Sequence, residues 1–400
     1  MSETTKRPPR RRPRRRSRSA QNRPFSLDPL IKEGFTGDLG DNLYHGQYNT
    51  KFLVKLHQQG ADPESPQWRS AYRSFEGEVF EVFVYERLLR YVREQGAIKK
   101  FIAKIPGTKP EGRGHTALML NKKGQIVYRV RYKDLGEFDA LIFTDKRLYF
   151  VEMTLVNSVN NLRSRLPKKK ALLELLFPGY DVHALLVVNE GTTGQSRLPH
   201  YASVWESKGI DTQPIFDWIA DGKRKKRERF KPVTHPKIVT PSALEVRTFK
   251  YYDTITWMFH SLRGKDGHPL NVHFFRSEKF RRFHDLYTKV YIGTMTAKEF
   301  KLLYPDAPHC DPFVYVAIEK DPMTGDSFLT YFHFKGRKNL DNIRIKDGHP
   351  TVTKKDPMGI TVTELTHLSR VIHPSHQFTH KQVQLLQQTI EHENGKNAKD

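Results

Sequence analysis

Three carboxylates interrupt an apolar stretch near the middle of the chain, GEFDALIFTDKRLYFVEMT at residues 136–154. The pattern predicts two strands, EFDALIF and LYFVEMTL, joined by the turn TDKR. Glu137 and Asp139 lie in the first predicted strand, and Glu152 lies in the second. Burying a carboxylate without a partner costs several kcal/mol, so acids inside strands require a compensating charge. A divalent cation is one such charge, because Mg²⁺ prefers hard oxygen ligands.

Asp139 and Glu152 could share one cation if both side chains point to the same side of the hairpin, and strand alternation allows this. We therefore expect these two acids to hold Mg²⁺ or Mn²⁺. The backbone carbonyl of Met153 is a further candidate ligand, because that role requires no particular side chain. Glu137 is two residues before Asp139 and shares its face, so it serves a second metal ion or none.

The same residues resemble the core signature of the PD-(D/E)XK nuclease superfamily, an acid in the first strand of a hairpin and Glu-x-Lys in the second. The match is Asp139, then Glu152-Met153-Thr154, and the resemblance covers roughly residues 65–220. Thr154 departs from the pattern, since the family usually has lysine there. The resemblance implies an αβββαβ core and metal-dependent hydrolysis of phosphodiester bonds.

The elements around the hairpin follow that order. Ser65-Pro66 predicts the start of a helix that continues to Glu94. A loop at 97–125 and an alternating strand at 126–134 precede the hairpin, and a helix at 166–177 and an apolar strand at 182–188 follow it. We therefore predict an α/β fold with a PD-(D/E)XK-like core and a mixed sheet. In such nucleases a glutamate of the first helix points toward the metal. The resemblance implies that Glu81 has this role, with Glu78 as the second candidate. Alternatively, Glu81 is an acid on a solvated helix face.

The lysine of the family motif orients or deprotonates the attacking water, and Thr154 cannot supply its charge. Some family members provide this lysine from the next helix. Here that helix begins with Lys168, Lys169 and Lys170. The resemblance implies that one of them serves the site, and we predict Lys169. Alternatively, all three are solvated or contact phosphate, and the domain binds nucleic acid without cutting it.

A strongly basic composition points to a polyanionic partner. The formal net charge is +24, which favours nucleic acid, DNA or RNA. Residues 1–24 carry nine Arg and one Lys against one Glu, and this composition predicts a disordered arm. The arm contacts phosphate backbones, or it serves only as a solubilising or localising tail. The candidates for nucleic-acid binding in the arm are Arg10, Arg11, Arg12, Arg14, Arg15 and Arg16. Arg129 and Arg131 of the strand predicted at 126–134 are two further candidates, although both could simply lie on a solvated strand face.

Composition divides the chain into an arm (1–24), a loosely structured lead-in (25–64), a nuclease-like domain (65–221), a basic linker (222–234), a C-terminal α+β domain (235–385) and a frayed tail (386–400). In the C-terminal domain, residues 312–334 predict a hairpin. Four aromatic residues at helical spacing indicate core rather than a base-stacking platform: Phe280, Phe283, Tyr287 and Tyr291. No motif assigns this domain, which we expect to bind substrate or a protein partner.

Other sequence features restrict the cell compartment. No run of 18 apolar residues exists, which predicts no membrane span, and the basic N-terminus has no apolar segment behind it, which predicts no secretory signal. The single Cys310 fits a reducing compartment. We expect a cytoplasmic or nucleoid-associated protein, or a nuclear one in a eukaryotic host.

Three functions remain open. The first is a metal-dependent nuclease. The second is a non-catalytic nucleic-acid-binding subunit with the same fold, which Thr154 favours. The third is a structural protein of a nucleoprotein particle, against which three carboxylates in an apolar hairpin argue.

Overall fold

The computed structural model describes residues 48–103, 116–121, 124–130, 133–163, 165–207, 210–220, 235–264, 270–287, 289–310, 312–321, 324–335, 339–353 and 377–397. The predicted arm at 1–24, the predicted linker at 222–234 and the candidate Arg131 lie outside these residues.

The helices are α1 (Tyr48–Gln58), α2 (Pro66–Glu94), α3 (Asn160–Arg163), α4 (Leu166–Leu176), α5 (Gln213–Ala220), α6 (Tyr251–Leu262), α7 (Val272–Phe275), α8 (Glu278–Leu286), α9 (Ala297–Leu303) and α10 (His380–Asn397). The strands are β1 (Lys100–Ala103), β2 (Thr116–Leu120), β3 (Ile126–Val130), β4 (Lys133–Phe138), β5 (Ala140–Phe143), β6 (Arg147–Thr154), β7 (Asp181–Asn189), β8 (Ala202–Ser207), β9 (Lys289–Thr296), β10 (Phe313–Lys320), β11 (Ser327–Lys335), β12 (Asn339–Lys346) and β13 (His349–Thr353).

The first five-stranded sheet has the order β1-β5-β6-β7-β8. Its pairs β1/β5 and β5/β6 are antiparallel, whereas β6/β7 and β7/β8 are parallel. Helix α2 packs on one face, where it meets Tyr149 and Val151 of β6. Helix α4 packs on the other face with Leu148 and Phe150. The predicted mixed α/β architecture is therefore confirmed.

Helix α2 has the bounds that its capping residues predict. The Ser65 hydroxyl accepts a hydrogen bond from the Trp68 N–H at 3.3 Å, and Pro66 occupies the first helical position, where no N–H is needed. One side of the helix buries Phe80, Val84 and Leu88 against the sheet. Another side of the helix packs with α1 and α5. Helix α2 is therefore buried on two sides.

The prediction that the strand at 126–134 pairs with the hairpin was wrong. The structure divides it into β3 and β4, which form a separate antiparallel sheet with β2. The strand that pairs with the hairpin is β1, in the stretch predicted as a loop at 97–125. Its sequence, KFIA, is too short to show a strand periodicity, and its position is fixed by distant contacts. One of these is the parallel bridge from Phe101 to Ile238.

The second five-stranded sheet is antiparallel throughout, in the order β13-β12-β11-β10-β9. The predicted hairpin at 312–334 is present as β10 and β11, and its turn contains Gly325 at φ +82°. Helix α6 covers one face through Phe259. Helix α10 contributes Val383 to the cluster that contains Tyr331 and Ile343.

Three expectations outside the first sheet require correction. The prediction of a frayed tail at 386–400 was wrong, because α10 extends to Asn397 and buries Leu386 and Ile390. The lead-in contains α1, whose Leu53 and Leu56 are buried. The aromatic stripe is buried core, as predicted, but the helix ends at Leu286. Tyr291 therefore lies on β9 rather than on α8.

The N-terminal and C-terminal parts of the chain share one hydrophobic core, which includes residues of α4 and α8. The Tyr128 hydroxyl of β3 accepts a hydrogen bond from the Phe249 N–H at 2.8 Å, although the two residues are far apart in sequence. Arg282 of α8 lies 3.8 Å from the Glu174 carboxylate of α4. These contacts hold α8 beside α4. Within the described residues, no helix is long and apolar enough to span a bilayer.

We expect Glu299→Gln to weaken the docking of α10 in a pH-dependent way. The His380 N–H donates to Glu299 Oε2 at 2.7 Å, and His380 Nδ1 lies 2.7 Å from the same oxygen. These hydrogen bonds lower the pKa of Glu299, so its contribution is present above its ordinary pKa and is lost as pH falls through the lowered pKa. In urea titrations the substitution should cost about 0.5 kcal/mol at pH 7, since solvent screens this partly exposed pair.

The difference from wild type should shrink toward zero as the pH falls through the lowered pKa of Glu299, where the native carboxyl also becomes neutral. The same change at the exposed Glu245 serves as the control. An unchanged difference at acidic pH would contradict the assignment of this contact.

Candidate functional site

Asp139 lies at a break between β4 and β5, so the first strand of the predicted hairpin is two strands. Its N–H donates to the Val151 carbonyl at 3.3 Å, and its negative charge is close enough to raise the pKa of the Glu152 carboxyl. The structure therefore brings the two acids close together, and their sharing of one cation stays a prediction.

Asp139 also anchors the end of β6. Its Oδ2 accepts a hydrogen bond from the Met153 N–H at 2.8 Å. The N–H and C=O of one residue in a strand point to the same side of that strand, so the Met153 carbonyl also points toward Asp139. Two carboxylates and one carbonyl are thus directed at one edge of β6, just before the strand ends at Thr154.

Glu152 is buried and forms an ion pair with Lys169. The carboxylate is on the face that β6 turns toward α4, where Leu148 and Phe150 are buried. Lys169 Nζ donates to Glu152 Oε1, and the two side chains are only 16% and 9% exposed. The same ammonium lies 5.6 Å from the centroid of the Phe138 ring. The first turn of α4 therefore places a positive charge directly on the buried acid.

The electrostatics of this pair are asymmetric. Burial is the main cause that raises the pKa of Glu152 to about 7; Lys169 opposes this increase, and the negative charges of Asp139 and Glu137 add to it. One ammonium thus contacts Glu152, while two further carboxylates, those of Asp139 and Glu137, act on the same group. The site carries excess negative charge, which is the condition that favours a bound cation.

The three candidate lysines have different surroundings. Lys169 contacts Glu152, whereas Lys170 pairs with Glu174 one helical turn later and lies 5.3 Å from the centroid of the Tyr201 ring. Lys168 is half-buried in the same turn. The structure thus selects Lys169 as the lysine beside the acids, and its chemical role stays a prediction.

Glu81 is not part of a preformed metal site in the described residues. Among them, no set of three or more His, Cys, Asp or Glu side chains is arranged to hold a metal ion, and the expected metal role of Glu81 stays a prediction. Its helix packs on the opposite face of the sheet from the buried Glu152. The alternative, Glu78, is buried against α1, where its carboxylate accepts a hydrogen bond from the Thr50 hydroxyl at 2.8 Å.

The remaining candidates lie in the three-stranded sheet. Glu137 is exposed on β4 and accepts a hydrogen bond from the Gln125 side chain. Arg129 forms a two-pronged contact with Asp134, at 2.5 Å from Nε and 2.9 Å from Nη2. An arginine held by an acid on the neighbouring strand favours the alternative of a solvated strand face.

The donor set fits Mg²⁺ or Mn²⁺. Magnesium is commonly bound by one or two carboxylates, with water and substrate phosphate as the other ligands. The carboxylates of Asp139 and Glu152 and the carbonyl of Met153 match that pattern. In the metal-free chain, Lys169 compensates part of the same negative charge.

Sequence reasoning missed the residue that allows α4 to approach the site. A Cβ atom added to Gly136 of β4 would lie 2.7 Å from Leu172 Cδ2. Leu172 is fully buried on α4, three residues after Lys169. A glycine inside a strand indicates a close approach of another element, so this signal was present in the sequence.

Comparisons with known proteins leave the identity open. No protein-family model matches the chain, and no curated protein matches it. A crystal structure of protein VC1899 from Vibrio cholerae is similar at 11% sequence identity and a TM-score of 0.24, over 49% of this chain. The chain spans 56% of that protein's length. A likeness at this level carries no argument about fold or function.

We expect Gly136→Ala to destabilise the fold by about 1–3 kcal/mol, because the added methyl group overpacks the contact with Leu172. Gly179→Ala is the matched control, since nothing lies within 4 Å of a Cβ atom added there. Urea unfolding of both variants measures the difference. Equal stabilities would show that α4 and β4 are not in close contact.

We expect Lys169→Met to cost about 3 kcal/mol at pH 8, because it leaves Glu152 buried without its cation. Lys170→Met removes a more exposed pair, and there the cost should be below about 1 kcal/mol. Chemical denaturation at pH 8 compares the two variants. The loss of unfolding free energy in Lys169→Met should diminish toward pH 6, where Glu152 is protonated. An equal loss of unfolding free energy in both variants would argue against the buried ion pair.

Proposed function

We propose that the chain is a metal-dependent nuclease of the PD-(D/E)XK type, which hydrolyses phosphodiester bonds in DNA or RNA. The observation that carries this proposal is the convergence of Asp139, Glu152 and Lys169. The two acids lie close enough for the charge of Asp139 to raise the pKa of Glu152, and a lysine from the following helix contacts the buried one.

A purely structural role explains this group poorly. Buried ion pairs contribute little net stability, and apolar residues of similar volume are often as good or better. Groups whose pKa is strongly shifted concentrate at functional sites. Glu152, with a pKa raised to about 7, is such a group, and it lies two residues before the end of a strand.

The order of elements also supports the proposal. Helix α2 is followed by β1, then by the hairpin β5-β6, then by α4 and β7. This is the order helix, strand, hairpin, helix, strand that the resemblance implies. The three-stranded sheet β2-β3-β4 is inserted between β1 and β5, and it supplies Gly136 beside α4.

Asp139, Glu152 and the Met153 carbonyl would hold Mg²⁺ or Mn²⁺. When bound, the ion supplies Lewis-acid stabilisation of the phosphate charge and a more acidic water. Asp139 keeps the end of β6 in place through the Met153 N–H. Lys169 holds its proton at Nζ beside Glu152, where it can orient the attacking water or donate a hydrogen bond to a phosphate oxygen. Thr154 offers no such charge.

The composition supplies the attraction for the substrate. Lys and Arg number 68 against 44 Asp and Glu, and neutralising phosphates with such cations releases counterions. This term gives affinity for nucleic acid without sequence preference. It therefore supports a nucleic-acid substrate and leaves the choice between DNA and RNA to experiment.

A second function is favoured by the same ion pair and by Thr154. Lys169 already compensates Glu152 within the chain, so the fold tolerates that acid in the absence of a metal ion. A nucleic-acid-binding subunit that keeps the fold and has lost turnover would have the same arrangement.

Incubation of the full chain with labelled DNA and RNA, single- and double-stranded, tests the first function. We expect cleavage with Mg²⁺ or Mn²⁺ and none with EDTA. Asp139→Asn should reduce the rate more than about 100-fold, because it removes charge stabilisation at the site. Asp145→Asn is the matched control in the same hairpin; Asp145 is exposed in the turn, 3.8 Å from Lys99, and its substitution should leave the rate unchanged.

Thermal unfolding with and without Mg²⁺ provides a readout that does not depend on turnover. The ion should raise the melting temperature of the wild type but not that of Asp139→Asn. Retained nucleic-acid binding without cleavage under any metal would reject the nuclease and support the binding subunit.

A further inference from the structure

An exposed tryptophan marks a second surface, in the C-terminal part of the chain. Trp257 of α6 is 38% exposed, whereas Trp68 and Trp205 are buried. Its ring contacts Phe274 and Phe283 edge to face, at centroid distances of 5.4 Å and 5.7 Å. These neighbours hold the ring in a defined orientation while leaving part of it open to solvent.

Positive charge accompanies this ring. The Lys279 ammonium lies 4.2 Å from the centroid of the Trp257 ring, which is a cation–π contact. Helix α8 directs Phe280 and Phe283 into the core and leaves Lys279, Arg281 and Arg282 outside. Residues 276–282 contain four Lys or Arg and one Glu. The helix therefore presents cations next to an open aromatic ring.

This surface is connected to the candidate site by direct packing. Helix α8 and helix α4 contribute to one hydrophobic cluster, and Arg282 lies 3.8 Å from Glu174 of α4. Helix α4 begins with the lysine that contacts Glu152. The C-terminal part therefore packs against the helix that carries Lys169.

We propose that Trp257, Lys279 and Arg281 form a binding surface for single-stranded nucleic acid. An unpaired base can stack on the exposed ring while the cations contact its phosphates. A duplex offers the phosphates but hides the base faces, so the ring selects the single strand. The inference rests on the proposed function only in taking nucleic acid as the ligand. It adds the class of strand that the C-terminal part recognises.

Binding by the full chain in EDTA tests this surface, because no cleavage then interferes. Fluorescence anisotropy is measured with an oligothymidylate of about 30 nucleotides and with a duplex of the same length, long enough for several stacked bases. Trp257→Ala should weaken single-strand binding about tenfold and leave duplex binding unchanged. The basic arm would strengthen the binding of both ligands, so its contribution cancels when the single-strand affinity is divided by the duplex affinity.

Two further variants separate recognition from folding. Trp257→Phe keeps an aromatic ring and should retain most of the single-strand preference. Lys279→Gln should lower the salt slope of single-strand binding by about one, whereas Lys381→Gln, at an exposed position at the start of α10, should leave it unchanged. Circular dichroism checks that each variant is folded.

An unchanged affinity ratio in Trp257→Ala, an equal loss on both ligands, or a wild type without single-strand affinity would overturn the proposal. Asp139→Asn should keep the full preference in EDTA. A wild type that cleaves but shows no preference for single strands therefore rejects this surface alone, and a wild type that shows the preference but does not cleave rejects the nuclease alone.

Discussion

The buried contact between Glu152 and Lys169 constrains the architecture of the first sheet. A carboxylate on a central strand loses its hydration on folding, so the fold must bring a positive charge to it. That charge comes from the first turn of α4, which requires the helix to lie close to the strands. Gly136 permits this approach, because any larger side chain would overlap Leu172. The position of α4, and with it the position of α8, follows from this requirement.

A second buried acid shows why the first one has the properties of a site. Glu319, in the other five-stranded sheet, lies 3.6 Å from Lys289 and 2.6 Å from Arg344. One carboxylate there meets two cations, and the group needs no further positive charge. At the candidate site the balance is reversed, since one ammonium contacts Glu152 while two further acids, Asp139 and Glu137, act on it. Excess negative charge at a strand edge distinguishes a place for a cation from an internal ion pair.

Asp139 combines two tasks that depend on the break between β4 and β5. At the break its side chain accepts a hydrogen bond from the Met153 N–H, which holds the end of β6 at the point where β5 begins. The same acid acts on Glu152 through its negative charge. The interruption therefore lets a carboxylate take the place of a ladder partner at this end of β6.

The amino-acid sequence by itself determined the elements whose patterns are local. The cap at Ser65-Pro66 set the start of α2, the apolar run at 182–188 indicated β7, and the acids within an apolar stretch indicated Asp139 and Glu152 as a candidate site. Each of these depends on residues within a few positions of one another, where capping, strand alternation and side-chain volume act directly. The resemblance built on them supplied Lys169 as a candidate.

Only the tertiary structure decided which distant residues meet. It replaced the strand predicted at 126–134 with β1 and chose Lys169 over its two neighbours. It also formed α10 where a frayed tail was predicted, because Leu386 and Ile390 gain a core to pack against. Such choices depend on contacts between segments far apart in the chain, and no local periodicity records the burial and charge compensation that those contacts provide.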